Sequence, residues 1–210
     1  MLRTFRELRE VAIRATDGRI GTVRDFYFDD TSWRIRYCVV DTGRWFSGRY
    51  VLVGPRALSI TDPARGELWV KLSKSEIMRS RTADSDKPVS KQQRTGLTLN
   101  KPEAHLYDRH LRSCAAVLGH RLKAIDGRLG RVRDFQIDDK RWVIRRLIVD
   151  PRKSNSPGER LLLDSRLVGD ISWPNASVSI YQTRAVLMTA PIDEPIPLHD
   201  DRIARSALSD

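Results

Sequence analysis

Cysteine is scarce in this 210-residue chain: Cys38 and Cys114 are the only two, in different contexts and without CxxC spacing. That argues against both a disulfide framework and a zinc site. Histidine is nearly as rare, and His105, His110, His120 and His199 form no HExxH or comparable ligand pattern. No apolar run approaches the roughly 18 residues of a membrane-spanning helix. The start, MLRTFRELREVAI, places Glu7 and Glu10 among arginines and has no signal-peptide core, so a cytoplasmic protein is expected. Also missing are a Ser-His-Asp arrangement, a phosphate-cradling glycine loop and a dinucleotide fingerprint. The expectation is a protein that is not an enzyme and uses no cofactor or metal.

The chain does have basic charge. The formal net charge is +11 and the sequence pI near 10.2, a balance that raises nucleic acid or an anionic membrane as a partner. Residues 1 to 80 carry 15 basic and 10 acidic groups, residues 81 to 110 carry 6 and 4, and residues 111 to 210 carry 17 and 13. At this level the excess is spread evenly, with no basic arm. With 40% hydrophobic and 31% charged residues the composition is globular, so most of the chain can bury a core.

The sequence is also duplicated. Asp17 to Asp41 reads DGRIGTVRDFYFDDTSWRIRYCVVD and Asp126 to Asp150 reads DGRLGRVRDFQIDDKRWVIRRLIVD, identical at 15 of 25 positions at an offset of 109. Chance would give roughly one or two. A weaker match follows after a one-residue slip, Gly48 to Val53 against Gly158 to Leu163. Each copy then has a strand-like stretch, Leu68 to Leu72 or Val178 to Tyr181, and a short apolar segment at Ile77-Met78 or Val186-Leu187.

Within each copy the punctuation is that of antiparallel strands. Asp17-Gly18 and Asp126-Gly127 are hairpin turns, because the positive φ of a tight turn suits Asp-Gly. Asp29-Asp30 and Asp138-Asp139 precede the third strand, where carboxylates accept local N–H bonds. A hard-cation site built from these and from Asp25 and Asp134 would need more oxygen ligands, so turn capping and pairing with Arg24 or Arg133 is the reading. Val23 and Phe26, like Val132 and Phe135, are three apart, which breaks strict alternation and predicts a bulge near Arg24-Asp25 and Arg133-Asp134. Cys38-Val39-Val40 and Leu147-Ile148-Val149 are apolar on both faces. Such strands need an outer cover, from the domain's own C-terminal helix, the other barrel or another subunit, the first being favoured.

The pattern DGRxGxVRDFxxDD, followed by the Trp33 or Trp142 position and a VVD or IVD strand end, resembles the PRC-barrel family. Its relatives include the cytoplasmic domain of the photosynthetic reaction-centre H subunit and the C-terminal domain of the ribosome maturation factor RimM. The resemblance implies an all-β chain of two tandem, small, partly open antiparallel β-barrels, each with a short C-terminal helix. The boundaries read as 1–80 for the first barrel, 81–112 for a polar linker, 113–200 for the second and 201–210 for a tail. The repeated residues Asp17, Gly18, Gly21, Phe26 and Trp33, with Asp126, Gly127, Gly130, Phe135 and Trp142, are assigned to folding.

Function is expected where the copies differ. Trp45-Phe46 corresponds to the polar stretch Lys153 to Ser156 in the other copy; a Trp folded back over the barrel end is the favoured reading of it, and the alternative makes the pair the candidate interaction site of a non-enzymatic adaptor that binds a protein partner or itself as a homodimer. The alternatives are an RNA- or ribosome-associated protein, in which Arg24, Arg36, Arg133 and Arg145 converge on one face, and a peripheral partner of a membrane or photosynthetic complex. The last needs a basic patch beside an apolar one, and the sequence alone displays neither.

Overall fold

The computed structural model describes residues 1–43, 48–62, 66–92, 108–151 and 160–189. In chain order these form β1 (Leu2–Thr4), α1 (Phe5–Leu8), β2 (Ala12–Ala15), β3 (Gly18–Asp29), β4 (Ile35–Asp41), β5 (Tyr50–Val53), β6 (Leu58–Asp62), β7 (Glu67–Val70), α2 (Lys74–Arg79) and α3 (Val89–Gln92). The repeat then begins again with β8 (Leu111–Ser113), α4 (Cys114–Val117), β9 (Arg121–Ala124), β10 (Gly127–Asp138), β11 (Val143–Pro151), β12 (Leu161–Asp164), β13 (Val168–Ser172), β14 (Ser177–Ile180) and α5 (Arg184–Thr189). One sheet runs β5-β4-β3-β2-β7-β6 and the other β12-β11-β10-β9-β14-β13, the same order twice. Neither path closes on itself among the described residues. Each contains one parallel pair, β2 with β7 and β9 with β14, an exception to the expected antiparallel pairing.

The contacts divide the chain into two units: Met1–Ala116 with Ile137–Ile144, and Val117–Gln136 with Arg145–Asp210. The units do not follow the repeat boundary, because β8, which opens the second repeat, pairs with β3 of the first, and Ile137–Ile144 also belongs to the first unit. Leu2-Arg3-Thr4 and Leu111-Arg112-Ser113 hold equivalent places as short lead-in strands. In the first unit β8 pairs with β3, Ser113 opposite Tyr27 and Leu111 opposite Asp29. Asp30 fixes it, its backbone N–H donating to the His110 carbonyl (3.0 Å) and its carboxylate holding His110 Nδ1 (2.8 Å) and Arg112 Nε. Asp139 does the same for the start of the chain. Its N–H donates to the Met1 carbonyl (3.1 Å), and its carboxylate pairs with the α-amino group (2.7 Å) and Arg3 Nε (3.3 Å). The second aspartate of each Asp-Asp pair is therefore an anchor.

The first of each pair is the turn cap. Asp29 Oδ1 accepts from the N–H and hydroxyl of both Thr31 and Ser32, and against the opposing effect of burial these bonds hold its pKa down at about 2. Trp33 and Trp142 follow with φ of 58° and 52°, left-handed values costly for a bulky side chain. Packing offsets the cost: both are 6% exposed, Trp33 stacked on Phe28 (5.3 Å between centroids) and Trp142 tilted against Phe26 (5.6 Å).

The expected bulge is present in the first repeat. Val23 pairs with Val40 and Asp25 with Val39, leaving Arg24 as the extra residue, and Val23 and Phe26 both reach the core. Val132 and Phe135 are buried likewise. A second bulge, absent from the sequence reading, sits at Ile20 and at Leu129, the residues left over between paired positions on β3 and β10.

The hairpin aspartates also do more than turn the chain. Asp17 Oδ1 accepts from the Lys74 N–H and Asp126 Oδ1 from the Arg184 N–H, both at 2.8 Å, so each caps the first turn of its repeat's C-terminal helix. Those helices bury Ile77 and Leu187. They are not what covers the outer face of the first repeat's third strand. Val39 packs outward with Tyr27 and Leu52 under Ala83 and Leu111. The cover comes from the expected linker, whose Arg81 to Ala83 stretch bonds along β5: Leu52 N–H to the Arg81 carbonyl (2.8 Å) and Ala83 N–H to the Tyr50 carbonyl (2.9 Å).

Candidate binding surface

Trp45 and Phe46, the aromatic pair singled out from the sequence, lie outside the described residues, as do His105 and His199. Of the other histidines, His110 holds Asp30, and His120 is buried against the Trp173 ring (5.5 Å between centroids). The arginines expected to gather on one face are engaged with carboxylates where their pairs are resolved. Arg24 pairs with Glu10 (3.5 Å) and Arg36 with Asp29 (3.4 Å), while Arg133 approaches Asp150 (3.9 Å). Arg24 thus pairs with Glu10 where Asp25 was expected.

Asp25 is instead buried, 8% exposed, in the first unit. Its carboxylate accepts from Ser113 Oγ (2.5 Å), the Ala115 N–H (3.0 Å) and the Phe26 N–H (2.8 Å). Burial pushes its pKa up to about 6, partly offset by those bonds. The arrangement latches β8 to β3; it offers no open space for a substrate.

A different cluster stands out in the second unit. The β9–β10 hairpin alternates buried Leu122 and Ala124 with exposed Arg121 and Lys123, and β10 exposes Arg128 and Arg131. The register sets Arg128 opposite Lys123 and Arg131 opposite Arg121. Two like-charge pairs therefore face each other on either side of the Gly130–Leu122 rung, an arrangement that costs stability. Arg121, Arg128, Arg131, Gly130, Asp150 and Pro151 line a cavity of about 360 Å³. Its carboxylate, Asp150, is held by Arg160 (2.7 Å), and Arg131 Nη1 donates to the Gly119 carbonyl (2.9 Å).

The first repeat shows that the fold does not require this charge. Ala12 and Thr22 stand opposite each other where the second repeat has Arg121 and Arg131. The parallel neighbour of Ala12 is Glu67, that of Arg121 is Ser177. Arg14 lies over Trp69 (5.2 Å) and near Glu67 (3.8 Å), whereas Lys123 has Ser179 beside it. Glu10, the partner of Arg24, becomes Gly119. From Glu10 to Arg24 the chain has three basic and two acidic side chains; from Gly119 to Arg133 it has five and one. The even charge balance of the whole chain hides this local difference, which comparison of outward-facing strand positions between copies would have found.

Residues 3–77 match the family model of the PRC-barrel domain. The first repeat is a PRC-barrel domain. Its glycine and aspartate signature is accounted for by the hairpin, the helix cap and the close approach of Gly21 to the Asp41 carbonyl. The second barrel rests on its sheet, which repeats the strand order of the PRC-barrel domain before it. No curated protein matches the chain.

Proposed function

We propose that this PRC-barrel protein is a non-enzymatic adaptor whose second repeat docks an anionic partner on the β9–β10 face. The observation that carries the reading is the opposed pair Arg121 with Arg131, added beside Lys123 with Arg128: the first repeat has the matching pair Arg14 with Arg19, with Arg14 near Glu67 (3.8 Å), but Ala12 with Thr22 where the second has Arg121 and Arg131. Four changes between the copies all raise the charge of one surface, and a charge gathered on one face is what electrostatic recognition requires.

The test is retention of the full chain on immobilised heparin, a polyanion. Arg121→Ala with Arg131→Thr, the residues of the first repeat, should elute at clearly lower salt than wild type. Trp45→Ala with Phe46→Ala should elute with wild type. The reverse order would move the binding site to the aromatic loop of the first repeat.

A further inference from the structure

The basic hairpin ends in exposed hydrocarbon. Ile125 follows Arg121 and Lys123 at the tip of the β9–β10 hairpin and is 57% exposed. Its N–H donates to the Gln182 carbonyl (3.1 Å), which sets it beside the start of α5. On α5, Val186 precedes buried Leu187 and is 37% exposed. The one carboxylate at this tip, Asp126, is occupied by the Arg184 N–H and by Arg184 Nε (3.3 Å). The equivalents of Ile125 and Val186 in the first repeat are Thr16 and Glu76, so here too the second repeat departs from the shared pattern, this time toward exposed hydrocarbon.

We infer that the anionic partner is a lipid bilayer surface, and that the second repeat docks on it peripherally through Ile125 and Val186 with Arg121, Lys123, Arg128 and Arg131 against the headgroups. This rests on the anionic-partner reading above. Cations beside exposed aliphatic side chains, all in one unit, match what a membrane interface offers: negative headgroups over an apolar layer. The strand position of Trp69 is filled by Ser179, and among the described residues no aromatic ring lines the basic cavity to stack a nucleic-acid base. No helix among the described residues is long and apolar enough to cross a bilayer, so the contact is an adsorbed one.

Sedimentation of the full chain with vesicles tests this, using phosphatidylcholine alone and phosphatidylcholine mixed with phosphatidylglycerol. Wild type should pellet with the anionic vesicles and stay in solution with the neutral ones. Arg121→Ala with Arg131→Thr should weaken binding roughly 30-fold, at about tenfold for each 1.4 kcal/mol and about 1 kcal/mol per cation. Ile125→Thr with Val186→Thr should weaken it about tenfold or more while heparin retention stays at the wild-type level, since only hydrocarbon burial is removed. Equal binding by the Ile125→Thr, Val186→Thr variant and wild type overturns the inference. So does failure to pellet with normal heparin retention, or binding of an RNA oligonucleotide in place of vesicles; each of these leaves the anionic-partner reading standing. Loss of vesicle and heparin binding together overturns both.

Discussion

Ser113 donates its hydroxyl hydrogen to the buried carboxylate of Asp25, a contact that joins the lead-in strand of one repeat to the bulge of the other across 88 residues of chain. The bulge at Arg24 is what turns Asp25 away from solvent and toward β8. The cost is a carboxylate whose pKa is raised to about 6 by burial.

That shift fixes a pH dependence. A carboxylate titrating near 6 when folded and near 3.8 when unfolded binds more protons in the folded state between those values, so stability is highest below about pH 4 and falls as pH rises through 6. The contribution is on the order of 3 kcal/mol. Asn can keep the bonds from Ala115 and Phe26 through its oxygen and donate its NH₂ to Ser113 Oγ. Asp25→Asn should therefore flatten urea-unfolding stability between pH 4 and 6 and raise it at pH 8. Asp25→Ala should lower it by about 2 kcal/mol below pH 4, because Ser113 Oγ and the Ala115 N–H lose their buried partner, and cost little or nothing at pH 8, where the substitution also removes the buried charge.

Gly21 and Gly130 are tied to one backbone contact. A Cβ on Gly21 would lie 2.0 Å from the Asp41 carbonyl oxygen, and one on Gly130 2.1 Å from that of Asp150. Neither neighbour can yield without moving a strand, so Gly21→Ala and Gly130→Ala should each cost about 3 kcal/mol, at the upper end of overpacking effects, read from the thermal midpoint.

Leu111 completes the outer cluster over Val39 and is 2% exposed. Leu111→Ala should cost about 2–4 kcal/mol in urea unfolding. A chain ending at residue 80 lacks both Ala83 and Leu111, and should bind a hydrophobic dye such as ANS where the full chain does not.

Much of the fold was legible in the sequence because the duplication doubles every signal. The Asp-Gly hairpins, the broken alternation at Val23 and Phe26, and the in-register tryptophans each occur twice. What escaped was non-local. The apolar residues from Pro102 to Leu118, Leu111 among them, place part of that segment against a barrel, but Leu111 to Ser113 is three residues long and its partner strand lies more than 80 residues earlier, so neither the strand nor the barrel it joins was legible. The second aspartates, Asp30 and Asp139, read as turn residues for the same reason. The candidate surface was missed differently. Arg121 and Arg131 are ordinary strand arginines until the ladder sets them opposite each other, and net charge averaged over a hundred residues cannot register a cross-strand pair.

If the opposed cations exist for binding, removing them should help the fold and harm the function. Arg121→Ala with Arg131→Thr relieves one like-charge rung and should raise the urea-unfolding free energy by about 0.5–1 kcal/mol. The decisive measurement is that unfolding curve together with the salt concentration at which the same variant leaves heparin. The expected result is higher stability with weaker retention; lower stability with unchanged retention would contradict the account, making the pair a structural feature of the second barrel.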